Sequence, residues 1–307
     1  MGTAIWAALL IAASPAADRP EVSDQDRAEQ LFKVIEKLKP LAVRLPEKPR
    51  PSDWLAQHPE KGQSFKEYLA GDPTRPTGKR NAIWVQPLGD FTATQRKLVT
   101  QTADFMAIYF HVPTKVSADL PLKLIPAEAR RKHPQWGMDQ ILTTHVLEEV
   151  LLKRLPKDAA AYIAFTATDL WPGEGWNFVF GQASDDRVGV WSFNRFGAPE
   201  KSEEDYRKVL LRTLKLATHE TGHMFSMAHC TAYQCNLCGS NNLPETDRHP
   251  LAECPECLAK LCWATRADPL ERYGKLADFC KDQGLKSEEQ TYRKLLAALA
   301  PDQDRKP

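Results

Sequence analysis

Apolar residues recur at helical spacing over residues 23–38 (Leu31, Val34, Ile35, Leu38), and the pattern stops at Pro40. Residues 40–51 are rich in proline and basic side chains and read as an extended connector. A short strand is predicted over 83–88. A helix follows over 92–110, with Leu98, Phe105, Ile108 and Tyr109 on one face. The spacing predicts another helix over 138–155, stopped by Pro156, and a buried strand over the apolar run 160–166. Two β-rich runs, 176–184 and 187–193, flank Asp185-Asp186 and read as a hairpin or neighbouring strands. Ser202 then opens a long helix. Glu203, Glu204 and Asp205 in its first turn favour the positive helix end, and its apolar face is Tyr206, Val209, Leu210, Leu214 and Ala217. Two further helices are expected over 269–281 and 287–299. Strands alternate with helices, so the class is α/β or α+β, and no internal repeat is present.

The chain has 307 residues, enough for one large domain or two modest ones. A net charge of +1 gives no electrostatic footprint for nucleic acid, and 42% hydrophobic residues suffice for a core. Residues 4–13 are apolar, and Ser14 and Ala16 are placed for cleavage before Ala17, so residues 1–16 read as a signal peptide. No Lys or Arg precedes Arg19, which leaves the basic start of such a leader missing. Trp6 argues against myristoylation. A working leader implies a periplasmic or secreted protein; without one the protein is cytoplasmic. Beyond the leader no segment is apolar enough to span a bilayer. The remainder divides into a helical and proline-rich stretch (17–50), a main domain (51–265) and a C-terminal helical extension (266–307).

The chemistry concentrates in one place. His219, Glu220 and His223 form an HExxH pattern on the predicted long helix. Spacing of i, i+4 puts both imidazoles on one face, with Glu220 in reach of a metal-bound water as general base. A catalytic zinc needs a third protein ligand, and His229 is the local candidate. A straight helix would point His229 away, so the chain must turn near Ser226. Glycine is the usual residue for that left-handed turn. His58, His111, His133, His145 and His249 have no comparable partners.

All seven cysteines lie between Cys230 and Cys280, beside the histidines, which favours metal over a disulfide framework. Spacing alone allows two ligand sets: Cys235, Cys238, Cys254 and Cys257, or Cys230, Cys235, Cys254 and Cys257. A pair of disulfides is the competing arrangement in an exported chain. Cys262 and Cys280 receive no role.

The run from His219 to Cys230, with Cys235, Cys254 and Cys257, resembles the archaemetzincins, a branch of the metzincin zinc peptidases. The stretches PSDWLAQHPEKGQSF, LWPGEGWNFVFGQAS, VGVWSF and CGSNNLPETDRHPLAECPECLAKL add to the likeness, which covers roughly residues 51–261. The resemblance implies a metzincin-like zincin fold, a mixed sheet with an active-site helix, and peptide-bond hydrolysis on a peptide or protein substrate. It implies two Zn2+ ions: a catalytic one on His219, His223 and His229, with Glu220 as base, and a structural one on Cys230, Cys235, Cys254 and Cys257. Cys238 is then an extra thiol. It also places a substrate-pairing edge strand within 176–193. Two positions depart from the family pattern: Ser226 stands where the family has glycine, and Leu237 where it has the methionine beneath the zinc. They raise the alternative of a catalytically weak, zinc-stabilised peptide-binding protein.

Overall fold

The structure is a computed structural model that describes residues 22–184 and 186–301. The leader read over 1–16 and Asp185 of the hairpin turn lie outside the described residues. Helix α1 (Asp24–Leu38) is N-capped by Ser23, whose hydroxyl accepts from Asp26 N–H, and buries Leu31, Ile35 and Leu38. The connector behind it makes one isolated antiparallel bridge, Arg44 to Tyr233. Two short helices follow, α2 (Trp54–Gln57) and α3 (Phe65–Ala70). The second begins with a capping box: Ser64 Oγ accepts from Glu67 N–H while the Glu67 carboxylate accepts from Ser64 N–H.

Strand β1 (Ala82–Pro87), helix α4 (Ala93–Phe110) and strand β2 (Thr114–Val116) form a β-α-β unit, with the strands parallel. Next come β3 (Arg130–Lys132), β4 (Asp139–Leu142) and α5 (Thr143–His145), which continues as a π-helical stretch (Val146–Leu151) and a 3-10 turn (Leu152–Arg154). Strands β5 (Ala159–Thr166), β6 (Asp169–Trp171), β7 (Gly181–Ser184) and β8 (Val188–Ser192) precede the long helix α6 (Glu203–Met224). The chain then forms α7 (Leu243–Arg248), α8 (Pro255–Thr265), α9 (Pro269–Asp282) and α10 (Lys286–Leu299).

The main sheet has the order β2-β1-β5-β8-β7, parallel except for the antiparallel edge strand β7. β5 is buried along its whole length, which explains its unbroken apolar sequence. A second sheet has the order β3-β4-β6. The class is therefore α/β with mixed sheets.

Two expectations fail locally. Residues 139–142 are a strand, not the start of the helix predicted over 138–155. Their apolar spacing suits a helix, but β4 pairs with β3 and β6, and buried Gln140 donates to Asp169 Oδ2 (2.7 Å) and Asn177 O (2.9 Å). Only the end of 176–184 is strand. The carbonyls of Trp176 and Asn177 accept from Arg131 at 3.0 Å each, so side chains take the groups a ladder would use. Helix α8 had no signal because nearly every face of it is buried, leaving no amphipathic period.

One core cluster runs from Leu31 of α1 through Phe105, Phe165 and Leu214 to Tyr292 and Leu299 of α10. Helix α9 packs on α4 and α10, and α10 also touches α1. Within this core Arg272 of α9 and Glu253 are both fully buried and ion-paired. No helix among the described residues is long and apolar enough to cross a membrane.

Candidate active site

Helix α6 carries His219 and His223 on one face, one turn apart. His219 Nδ1 lies 2.8 Å from the Asn236 carbonyl and His223 Nδ1 lies 2.6 Å from the Met227 carbonyl. A carbonyl can only accept, so both Nδ1 atoms carry a proton, and Nε2 is the nitrogen each ring has left to offer. Those Nε2 atoms are 3.0 Å apart. Two ring nitrogens held that close converge on one point between them, and imidazoles fixed through Nδ1 are the kind of ligand zinc takes.

His229 reaches the same point because α6 stops short of Ser226. Ser226 N–H donates to His223 O (2.9 Å) and Met227 N–H to Gly222 O (3.1 Å), the bond pair of a Schellman ending. Ser226 occupies the left-handed position at φ 61°. That costs about 1–2 kcal/mol for a residue with a Cβ. The hydroxyl offsets part of it by accepting from Thr74 N–H at 3.0 Å. Replacing Ser226 with alanine keeps the strain and drops this bond, so urea unfolding of the variant should show a loss of about 1 kcal/mol. Replacement with glycine removes strain and bond together and should leave stability within about 1 kcal/mol of the parent.

After the turn, the His229 ring sits 5.2 Å from that of His219 and 4.8 Å from that of His223. Its Nδ1 lies 2.9 and 3.0 Å from the two Glu60 carboxylate oxygens, leaving Nε2 as its free donor. One ligand atom from each histidine falls within 4.8 Å of the others. Burial and the two neighbouring imidazoles push the His219 pKa well below its ordinary value, against the pull of the Asn236 carbonyl. Burial and His223 also lower the His229 pKa, against the pull of the Glu60 carboxylate. Glu220 sits beside the histidines, and burial pushes its carboxyl up, with His223 opposing. For Glu60 burial works against the charge, but the bonds from His229 and Trp54 outweigh it and hold the carboxyl below its usual value.

These groups open onto a cleft of 660 Å³ lined by Trp54, Trp176, Phe178 and Leu216, with Gly181, Gln182 and Ala183 of β7 along one side. Leu237 is buried beneath α6. A Cβ on Gly222 would lie 3.0 Å from Leu237 Cδ1, so the bare Cα of Gly222 lets α6 rest directly on this side chain. Leucine thus fills the place the resemblance gives to methionine.

A second cluster lies close behind. The sulfurs of Cys230, Cys235, Cys254 and Cys257 fall within 4.8 Å of one another, all buried. Cys235 Sγ accepts from Cys254 N–H (3.2 Å) and Leu237 N–H (3.4 Å), bonds that favour a thiolate. Cys238 stands outside the set, and its thiol donates to the Tyr233 carbonyl at 3.2 Å. All seven cysteines are free of disulfides. Cys230 Sγ and Cys254 Sγ are 3.7 Å apart, well beyond the S–S bond length of about 2.05 Å.

Residues 148–262 match the peptidase family M54. Archaemetzincin-2 of Homo sapiens is 33% identical over 266 residues, which span 76% of this chain and 73% of that protein. The chain belongs to the archaemetzincins. It is accordingly a zinc-dependent metallopeptidase, a hydrolase acting on peptide bonds. The archaemetzincin of Pyrococcus furiosus is 29% identical over 184 residues, covering 59% of this chain and 93% of that protein. Among solved structures, archaemetzincin from Methanopyrus kandleri is 25% identical, covers 62% of this chain and 99% of that one, and superimposes with a TM-score of 0.48.

Sequence reasoning picked out the three histidines, Glu220 and the cysteines. It missed Glu60, Asn236 and the Met227 carbonyl. Two of these contacts use backbone oxygens, which residue identity cannot advertise. Glu60 did stand in the PSDWLAQHPEKGQSF stretch, but nothing there tied it to His229. None of the other histidines joins the three-histidine cluster: the His58 ring lies against Trp54, His133 stacks on Trp136, and His249 lines the same cleft but faces Gln234.

Proposed function

We propose that His219, His223 and His229 hold the catalytic zinc of this peptidase, that Glu220 is its general base, and that Cys230, Cys235, Cys254 and Cys257 hold a second, structural zinc. The observation that carries the first assignment is the pair of converging Nε2 atoms 3.0 Å apart, each ring fixed from behind by a carbonyl. Bound there, zinc supplies a Lewis acid that polarises a peptide carbonyl and acidifies water.

The protein supplies the rest. A Glu220 carboxylate oxygen takes the proton of the attacking water and hands it to the departing amine nitrogen. The carbonyls of Asn236 and Met227 keep both imidazoles turned inward. Strand β7 ends the main sheet beside the cleft, and an extended peptide pairs along that edge. Trp176 and Phe178 give apolar surface to its side chains. The two departures from the family pattern argue little for a mere peptide binder. Ser226 still makes the turn, and Leu237 still packs under α6.

Metal analysis tests the assignment. The purified chain should hold about two zinc ions. His223→Ala and Cys254→Ala should each hold about one, and the ion that remains should differ between them. A single ion in the parent chain, lost with Cys254 and kept with His223→Ala, would refute the histidine centre.

A further inference from the structure

The three histidines are not held alike. His219 and His223 are fixed by α6 and by carbonyls. His229 lies in irregular chain past the Ser226 turn, and its outward nitrogen meets a carboxylate, Glu60, from 169 residues away in sequence. Glu60 is itself held: Trp54 Nε1 donates to its Oε1 at 3.0 Å, and the Trp54 ring stands edge-on to His229 at 5.2 Å.

Around Glu60, residues 51–75 grip the turn at many points. Gln63 Nε2 donates to Ser226 O and Gln63 Oε1 accepts from Ala228 N–H, both at 3.2 Å. Tyr68 donates its hydroxyl to Phe225 O at 2.8 Å. Trp54 N–H donates to Glu245 Oε1 at 2.8 Å, and Phe65 N–H to Glu256 Oε2 at 2.6 Å. Two glycines make the fit possible. Gly62, at φ +73°, lies so close to the turn that a Cβ would come within 2.2 Å of Thr231 Oγ1. A Cβ on Gly239 would come within 2.4 Å of the Trp54 ring.

We propose that Glu60 is a positioning residue for His229, and that residues 51–75 form a clasp which completes the catalytic metal centre from the N-terminal side. The proposal rests on the histidine zinc centre argued above. Hydrogen bonding from His229 Nδ1–H to a carboxylate fixes the tautomer, aims Nε2 inward and raises its basicity. A carboxylate does this more strongly than the carbonyls behind the other two ligands. Glu60 therefore governs how tightly the least supported ligand is held.

The test measures zinc affinity of the histidine centre in the full-length chain, by competition with a chromophoric chelator while the cysteine cluster stays loaded. Glu60→Ala should weaken it by about 10–100-fold. Glu60→Gln, which keeps an acceptor for His229 Nδ1–H but not the charge, should fall between the two. Cobalt in place of zinc should give a visible spectrum that Glu60→Ala alters and Glu60→Gln restores in part. Urea midpoints of the metal-free chains should stay close together, because a purely structural role would move them instead. Parent-like zinc affinity in Glu60→Ala overturns the proposal and leaves the histidine centre standing. A parent chain that binds zinc only at its cysteines overturns both.

Discussion

Glu220→Gln should keep the parent's zinc content and lose peptide hydrolysis by at least about 100-fold. Glutamine copies the shape of glutamate and cannot accept a proton, so the change removes the base and leaves the cleft intact. Burial raises the Glu220 pKa, although His223 works against that rise. A carboxylate with a raised pKa binds a proton more firmly than an exposed one, which suits it to take one from water and keep it until the amine leaves. The comparison needs kcat/KM on a mixed peptide library and a zinc count on the same preparations. Equal cleavage by parent and variant would reject Glu220 as base. Loss of zinc together with loss of cleavage would make it a structural residue of the centre.

The second large effect is on stability. Glu253→Ala should destabilise the fold by about 3–5 kcal/mol, read from urea unfolding. Arg272 has no exposed side-chain surface. Its guanidinium donates to both Glu253 oxygens and, at 2.6 Å, to the Tyr109 carbonyl, with its carbon 4.3 Å from the Tyr109 ring centre. Removing Glu253 strands that charge in the core, and its neighbours offer only a carbonyl and a ring face in return. Native domains are stable by only about 5–15 kcal/mol, so the loss is a large share of the total. Removing both charges, as in Glu253→Leu with Arg272→Met, should cost far less, because desolvation of the pair consumes most of what its attraction provides. A double variant as unstable as Glu253→Ala would contradict this account. Glu253 also precedes Cys254 directly, so the single change should loosen the structural zinc proposed for the cysteines.

What could be read from the letters depended on how each element is buried. α6 has one wet and one dry face, so its period and its HExxH pattern were visible together. β5 is dry on both sides and announced itself as an apolar run. β4 was misread because Gln140 looks polar and helical until its partners Asp169 and Asn177 are known. α8 has no wet face and left no period. The site divides in the same way. His219, His223 and His229 stand within eleven residues, and their spacing could be reasoned from one helix and one turn. Ser226 was legible as a left-handed turn because His229 demanded one, and its φ of 61° meets the demand. Cys238 and Cys230 could not be ranked by counting, because which sulfur lies within 4.8 Å of the other three depends on the folded loop, and that one is Cys230. Glu60 acts across the fold, and no local pattern encodes such a contact.

The clasp also sets an order of events in time. Its partners lie far downstream: Gln63 meets Ser226 163 residues later, Phe65 meets Glu256 191 residues later, and the Gln63 carbonyl meets Lys260 197 residues later. At about 5–20 residues per second, the ribosome takes roughly ten to forty seconds to cover that distance. Throughout that interval the N-terminal segment has nothing to close on. The carboxylate meant for His229 therefore emerges long before the histidine. The clasp can therefore close on the proposed centre only after Lys260 has been made.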